Sequence, residues 1–196
     1  MNKYTLYALD TETTGLDFVK NDILEISLYR LSDDNQKTWC LKPLNFETIE
    51  PAALRINGHK LEDITHKTSI GRSTYLEPSK VIVDIENWIM EDNSSAENRV
   101  LIGHNIGFDK YFIESLWKKC NSFDSFPFGR RTMDTMTIEF FKDLIKDDMA
   151  EGYSLNNLTK KYGVKNEKAH SAAADTKATK EVFEKQVEYF KKILKI

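Results

Sequence analysis

Several features that mark other protein classes are missing from this sequence. The 196 residues include only two cysteines, Cys40 and Cys120, too few for a disulfide framework or a cysteine-rich zinc site, so we expect a reducing compartment. No apolar run approaches the ~20 residues that span a membrane, and the N-terminal apolar segment is too short for a secretory signal. The sequence therefore predicts a cytoplasmic protein with no membrane partner.

Excess positive charge is missing as well. The chain carries 28 Lys and Arg against 31 Asp and Glu, a net charge of −3. Proteins that hold long nucleic acids by their phosphates usually carry excess Lys and Arg, so any contact with nucleic acid should involve few nucleotides. The composition, 40% hydrophobic and 30% charged, fits a single α/β domain over residues 1–196.

The order of the predicted elements indicates a layered α/β fold. The stretch 6–16 begins as a strand and ends in a polar turn, and further strands are predicted at 23–31 and 37–43. The polar turn between the second and third strands favours an antiparallel three-strand meander. A fourth strand at 99–105 is followed by strand-to-helix segments and a long helix over 171–194. This order predicts a mixed sheet, the meander plus parallel strands, with helices on its faces. We expect irregular structure between residues 45 and 80, and Ser79 as the N-cap of the helix that follows.

Two carboxylates stand one residue apart at the end of the first strand, in the stretch LYALDTETTGL. Because alternate residues of a strand point to the same face, Asp10 and Glu12 should project side by side. Like charges held this close repel each other unless a cation lies between them. A solvated strand end would also explain the pair, but the apolar run before it indicates a buried strand that delivers its end to a cleft.

Two later segments supply groups that would complete a site. Asp109 lies in the first turn of the helix after the fourth strand, where functional groups collect, although a capping role would also explain it. His170 and Asp175 flank three alanines at the start of the last helix. Four carboxylates in one cleft suit Mg²⁺ or Mn²⁺. Two such ions clamp the oxygens of a phosphoryl transfer, and a histidine is a suitable base for the attacking water.

Three segments resemble, in order, the motifs of the DEDDh family of 3′→5′ exonucleases: ALDTETTGL, GHNIGFD and HSAAAD. The resemblance covers residues from about 4 to 194 and implies a ribonuclease H-like fold. It also implies two-metal-ion removal of nucleoside monophosphates from single-stranded 3′ ends, with DNA favoured over RNA. Asp10, Glu12 and Asp175 would hold the first ion. Asp10 would also hold the second, together with Asp109, and His170 would be the general base.

The resemblance further implies residues that hold the terminal nucleotide. Thr13 and Thr14 would present backbone or hydroxyl groups to its sugar. Leu16 would wedge against the last bases, although packing beneath a loop would also explain it. Asn105 and Phe108 match positions that support the second motif, and Phe108 is a candidate for contact with a base.

Other residues near these motifs have two possible explanations. Several basic side chains are candidate phosphate contacts, and a solvated helix face would explain them equally: Lys160, Lys161, Lys165, Lys168, Arg130 and Arg131. Asp134 is expected to cap a helix, and His66 and His104 to be structural. Asn57-Gly58-His59 departs from the His-Gly-Ile of many relatives, so the family's histidine contact to the 3′ end is not expected in the same form.

The resemblance bears on partners and leaves alternatives. The family includes the proofreading epsilon subunit of bacterial DNA polymerase III, so a DNA polymerase is a candidate partner. That subunit carries an additional C-terminal tail, and its absence here favours a free-standing enzyme. RNA is an alternative substrate. A haloacid dehalogenase-type phosphatase would need Asp147 and Asp148 as its second acidic pair. A binding module without catalysis would have no need for four mutually repelling carboxylates.

Overall fold

The strands of the computed structural model, which describes residues 3–65, 74–166 and 170–196, form one five-stranded sheet in the order β3-β2-β1-β4-β5. β2 is antiparallel to β1 and β3, and β4 is parallel to β1 and β5. The predicted mixed sheet is therefore confirmed, with β1 at its centre. The strands are β1 (Thr5–Thr13), β2 (Ile23–Arg30), β3 (Asn35–Cys40), β4 (Arg99–Gly103) and β5 (Thr132–Asp134).

Seven α-helices and three single-turn 3₁₀ helices lie within the described residues. The α-helices are α1 (Pro51–Asn57), α2 (Leu61–Thr65), α3 (Pro78–Met90), α4 (Ile106–Lys119), α5 (Thr135–Lys146), α6 (Leu155–Tyr162) and α7 (Ala172–Leu194). The 3₁₀ helices are Phe46–Thr48, Ala96–Asn98 and Phe123–Ser125. No helix in this part of the chain is both long enough and apolar enough to cross a membrane.

Most predicted helix boundaries agree with the structure. α6 begins after Ser154, whose side chain accepts a hydrogen bond from the backbone of Asn157, and it ends at the left-handed Gly163. The predicted Ser79 cap of α3 is wrong: Glu77 is the N-cap and Pro78 the first helical residue. Proline suits that position because it has no N–H to leave unpaired and its φ is already helical.

The segment expected to be irregular contains short helices. A 3₁₀ helix, α1 and α2 lie between residues 45 and 65. Each is too short to show a clear apolar period, although Pro51 signals the start of α1 in the sequence and the structure confirms that start. Residues 66–73, which include His66, lie outside the described ranges.

Alternate residues of β1 face opposite sides of the sheet. Tyr7 belongs to a hydrophobic core that α3 and α4 cover. Asp10 faces the other side together with its cross-strand partner Ser27, where α7 packs. Gln36 connects α7 to this face, because its Nε2 donates hydrogen bonds to Ser27 Oγ (3.0 Å) and to the carbonyl of Ala173 (2.7 Å). The small side chains at the start of α7 permit this close approach.

α4 is anchored to the core by its apolar face. Four apolar side chains on that face are buried, namely Phe112, Ile113, Leu116 and Trp117. Cys120 ends the helix and is half-buried against the same core. This packing fixes the direction in which the first turn of α4 meets the end of β1.

α5 turns a polar face inward. Thr135, Glu139, Lys142 and Asp143 are buried, whereas its apolar side chains are 46–65% exposed: Phe140, Phe141, Leu144 and Ile145. The buried carboxylate of Glu139 is contacted by Lys142, Lys161, Tyr162 and Gln186. Burial alone would raise the pKa of Glu139, but hydrogen bonds from these four groups outweigh it and lower the pKa to about 2.

Glu139→Gln should lower the free energy of unfolding by about 3–5 kcal/mol at pH 7, because it leaves Lys142 buried without a counter-ion. Since the folded pKa lies below the unfolded value, this stabilisation should be lost as pH falls from about 4.5 towards 2. Urea denaturation followed by circular dichroism measures both effects. The matched control is Glu188→Gln, at an exposed pair with Lys185, which should change stability by less than about 1 kcal/mol. Equal losses in the two variants would contradict the prediction.

Candidate active site

Three carboxylates converge at the C-terminal end of β1. One oxygen each of Asp10, Glu12 and Asp175 lies within 4.8 Å of the other two. The pleat of β1 sends Asp10 and Glu12 to the face covered by α7, and Asp175 lies in the first turn of that helix. The structure thus brings together three residues that are far apart in sequence.

Asp109 reaches the same strand end from α4. It lies in the first turn of α4 and is 4% exposed. Its Oδ1 accepts hydrogen bonds from the backbone N (2.9 Å) and the hydroxyl (2.8 Å) of Thr11, the residue between Asp10 and Glu12. Asp109 is therefore held against the first motif through Thr11, beside the three-carboxylate cluster and not within it.

Burial and the charges of neighbouring carboxylates raise the pKa of Asp10, Glu12 and Asp109. For Asp10 burial is the largest cause, and the charges of Asp109, Asp175 and Glu12 add to it. Burial followed by the charge of Asp175 raises the pKa of Glu12 to about 8. Burial raises the pKa of Asp109 to about 7, against the opposing effect of the Thr11 hydrogen bonds.

Within the described residues, no Lys, Arg or His side chain forms an ion pair with any of these four carboxylates. Their ligand atoms are all oxygens, the type that hard divalent cations prefer. A divalent cation would also offset the uncompensated negative charge. The residues present therefore fit a divalent metal site.

Glu25 is a fifth carboxylate, which the sequence analysis missed. It lies on β2 directly opposite Glu12, and its charge is among those that raise the pKa of Asp10 and Glu12. Glu25 Oε2 lies 3.5 Å from Nε2 of the buried His59, and His59 Nδ1 bonds to the Tyr75 hydroxyl at 2.5 Å. The His59 side chain is therefore connected to the carboxylate cluster through its contact with Glu25. Only the register between β1 and β2 could have revealed this placement.

The segment before α7 holds Asp175 in place. Asn166 Nδ2 donates a hydrogen bond to Asp175 Oδ1 (2.6 Å), and the backbone N of His170 donates to Oδ2 (3.0 Å). His170 is exposed and has a left-handed backbone, with φ of 69°. The structure thus places His170 beside Asp175, and Asn166 is a second support that no sequence motif had indicated.

Thr13 and Thr14 shape the turn after β1. Thr14 is fully buried, its hydroxyl accepts a hydrogen bond from the Asp22 N–H (2.8 Å), and its own N–H donates to the Asp22 carbonyl (2.8 Å). The Thr13 hydroxyl donates to the Gly15 carbonyl (2.7 Å). A Cβ at Gly15 would collide with two neighbouring side chains. In this conformation both hydroxyls hold the turn, and their expected contact with a sugar remains a prediction.

Leu16 and Phe108 differ in exposure. Leu16 is 79% exposed, so packing beneath a loop does not explain it. Phe108 is half-buried, and its ring packs against Phe112 with 4.8 Å between ring centroids. Leu16 is therefore an exposed apolar residue at the end of the first motif, whereas part of the Phe108 side chain is buried against the core.

Asp134 connects the starts of two helices. Its Oδ1 accepts from the backbone of Met136 (2.9 Å) in α5, and both of its oxygens accept from the backbone at the start of α4, where Asn105 N donates at 3.2 Å. The predicted capping role is confirmed. Asn105 is left-handed, with φ of 62°, a conformation that Asn tolerates better than most residues. The predicted structural role of His104 agrees with its hydrogen bond to Thr135 Oγ1 (3.0 Å).

The basic residues that are candidate phosphate contacts differ in their surroundings. Lys161 pairs with buried carboxylates, because its Nζ lies 2.8 Å from Glu139 and 3.0 Å from Asp143. Lys168 lies outside the described residues. The remaining candidates are exposed: Lys160, Lys165, Arg130 and Arg131.

Comparison with known proteins identifies the class. The E. coli exonuclease I structure in complex with single-stranded DNA superimposes with a TM-score of 0.76 at 18% identity, covering 95% of this chain and 41% of that one. Cell-death related nuclease 4 gives a TM-score of 0.72 at 13% identity, covering 95% and 65%. The fold is ribonuclease H-like.

The family follows from the sequence matches. A family model described as exonuclease matches residues 7–183, and the chain belongs to this DEDDh exonuclease family. The PolC-type DNA polymerase III of Thermotoga petrophila is 30% identical over 193 residues, and that of Streptococcus mutans is 27% identical over 179 residues. The chain covers 12% and 11% of the length of these two relatives, and they cover 96% and 91% of the chain.

The phosphatase alternative has no support in these findings. Its second acidic pair, Asp147 and Asp148, is exposed just beyond the last turn of α5. Membership of the exonuclease family instead explains why all three motifs occur in one chain.

Without divalent ions, the protein should be more stable at pH 5 than at pH 8. A carboxyl group whose folded pKa exceeds its unfolded value takes up a proton on folding, so stability falls as pH rises from about 4.5 towards 8, the window set by Glu12. Thermal unfolding in EDTA measures this dependence. Glu12→Gln should show a smaller fall than the unaltered protein, and excess Mg²⁺ should raise the melting temperature most at pH 8. A pH dependence that Glu12→Gln leaves unchanged would count against the cluster.

Proposed function

We propose that the protein is a divalent-metal-dependent 3′→5′ exonuclease that releases nucleoside monophosphates from single-stranded DNA. The convergence of Asp10, Glu12 and Asp175 oxygens within 4.8 Å carries the proposal, because such a cluster of like charges is stabilised by a bound cation. Membership of the exonuclease family supports the same conclusion.

The four carboxylates would divide between two metal positions. Asp10, Glu12 and Asp175 would hold one Mg²⁺ or Mn²⁺ ion, and Asp10 with Asp109 a second. When bound, such ions stabilise the charge on the attacking and leaving oxygens of a phosphodiester. Both hydrogen bonds from Thr11 go to Asp109 Oδ1, which orients the carboxylate and leaves Oδ2 for other contacts.

His170 would act as the general base. Its imidazole would take a proton from the attacking water as the water oxygen bonds to phosphorus and the 3′ oxygen of the preceding nucleotide leaves. Imidazole is the side chain that changes charge between pH 5 and 8, which suits a base at neutral pH. The hydrogen bond from the His170 backbone to Asp175 ties the base to the carboxylate cluster.

The end of a single strand is the proposed substrate. Leu16, 79% exposed after the first motif, would contact the last bases, and Phe108 would contribute the part of its ring that is not buried. A net charge of −3 favours binding a few terminal nucleotides over a long duplex. The protein would work in the cytoplasm as a single domain over residues 1–196, with a DNA polymerase as a proposed partner because its relatives are PolC-type polymerases.

Asp10→Asn should abolish hydrolysis of a single-stranded DNA oligonucleotide in Mg²⁺ while preserving the fold, because it removes a metal ligand together with a repelling charge.

The unaltered protein should shorten a 5′-labelled strand stepwise and release a 3′ label as a mononucleotide, and it should degrade RNA of the same sequence more slowly. Gel electrophoresis of labelled products measures polarity and sugar preference together. Asp84→Asn, at an exposed position on α3, is the control and should remain active. Release of the 5′ label first would refute the proposed polarity.

His170→Gln should lower kcat by roughly 10²–10⁴, the usual contribution of a general base, and remove the acidic limb of the pH–rate profile. Steady-state rates between pH 5.5 and 9 test this. The control is His104→Gln, which breaks the hydrogen bond to Thr135 and should reduce stability while keeping the acidic limb. An unchanged limb in His170→Gln would show that another group is the base.

A further inference from the structure

Two aromatic side chains, each close in sequence to one of the first two motifs, form an exposed stacked pair. Phe18 lies in the turn after the first motif, and Tyr111 lies in α4, two residues beyond Asp109. Their ring centroids are 5.1 Å apart and their planes differ by 21°. Phe18 is 39% exposed and Tyr111 56%, and the exposed Leu16 and Val19 extend the apolar surface.

The turn that carries Phe18 is fixed in place. Ser115 Oγ donates a hydrogen bond to the Phe18 carbonyl (2.7 Å), which ties the turn to α4. The Phe18 ring also meets the edge of the buried Phe112 ring. Within the turn, Asp17 N donates to Asn21 Oδ1 (2.9 Å). The stacked pair is therefore preorganised, and a ligand would not have to order it.

Three observations indicate what this surface binds. Contiguous exposed apolar side chains mark interaction sites more often than they stabilise a monomer. Tyr111 lies three residues beyond Phe108 on the same face of α4, and the rings of Phe108 and Phe18 both pack against Phe112. Phe18 also follows Leu16 by two residues, so the pair continues the surface proposed to hold the substrate end. A net charge of −3 provides little attraction for phosphates, so affinity for a single strand must have another source. Base stacking on aromatic rings is such a source, and it is indifferent to sequence.

We propose that Phe18 and Tyr111 form a stacking surface for unpaired bases upstream of the 3′-terminal nucleotide. This inference rests on the proposed function and adds a second binding position to it. Bases within a duplex already stack on each other and cannot occupy the surface, so the pair would also favour single strands.

Tyr111→Ala should raise the Kd for a 3′-ended thymidine oligonucleotide by about tenfold, measured by fluorescence anisotropy in an Asp10→Asn background that does not hydrolyse it. Tyr111→Phe should restore binding, because it keeps the ring. The matched control is Phe123→Ala, from another exposed stacked pair, Phe123 and Phe126 (5.7 Å, 16°), which follows the other end of α4. This control should bind like the parent protein.

Two further measurements separate stacking from a merely structural role. The dependence of log Kd on log salt should have the same slope with and without Tyr111→Ala, because no phosphate contact is removed. Abasic nucleotides upstream of the 3′ end should weaken binding by the parent protein and have little effect in Tyr111→Ala. Binding that Tyr111→Ala leaves unchanged would overturn the stacking surface and assign the pair to loop packing or to a protein contact.

Activity measurements distinguish failure of the stacking surface from failure of the proposed exonuclease function. When Asp10 is unaltered, Tyr111→Ala should lower kcat/KM for the oligonucleotide about tenfold more than it lowers kcat/KM for the p-nitrophenyl ester of thymidine 5′-monophosphate. That ester has no upstream base. Equal losses on both substrates would overturn the stacking surface. Protein that binds the oligonucleotide through Tyr111 but hydrolyses neither substrate would overturn the proposed function and retain the surface.

Discussion

Repulsion among buried carboxylates at the end of β1 is the constraint around which the site is built. Burial and neighbouring charges raise the pKa of Asp10, Glu12 and Asp109, and Glu25 adds a further charge from β2. A cluster of this kind destabilises the folded protein unless protons or cations neutralise it. Metal affinity and the destabilisation of the metal-free protein therefore have the same origin.

The central position of β1 explains how residues from three motifs meet. The pleat of this strand sends Asp10 and Glu12 to the α7 face and Thr11 to the opposite face, so one short segment contacts the starts of two helices. Asp175 reaches it from α7, and Asp109 reaches it through Thr11 from α4. The hydrophobic core beneath α4 and the small residues at the start of α7 set how closely these two helix starts approach.

Most polar groups around the carboxylate cluster form hydrogen bonds that hold the surrounding turns and helix starts in place. The surface that remains open to a ligand is mainly apolar. The hydroxyls of Thr13 and Thr14 hold the turn, and Asp134 holds the starts of α4 and α5. The open surface beside the first motif is instead formed by Leu16 and the Phe18–Tyr111 pair. This division supports the proposed stacking of bases on the Phe18–Tyr111 pair, as does the acidic net charge of the chain.

The sequence was sufficient to predict a mixed sheet, the meander plus parallel strands, and to nominate Asp10, Glu12, Asp109 and Asp175, because strand alternation and short motifs are local properties. Three contacts follow only from the folded chain: Glu25 faces Glu12, Asn166 supports Asp175, and Lys161 pairs with the buried Glu139. Those contacts join segments that are distant along the chain, and they depend on strand register and helix packing. No local pattern encodes either of these, since both arise only when separate elements bury their surfaces against each other.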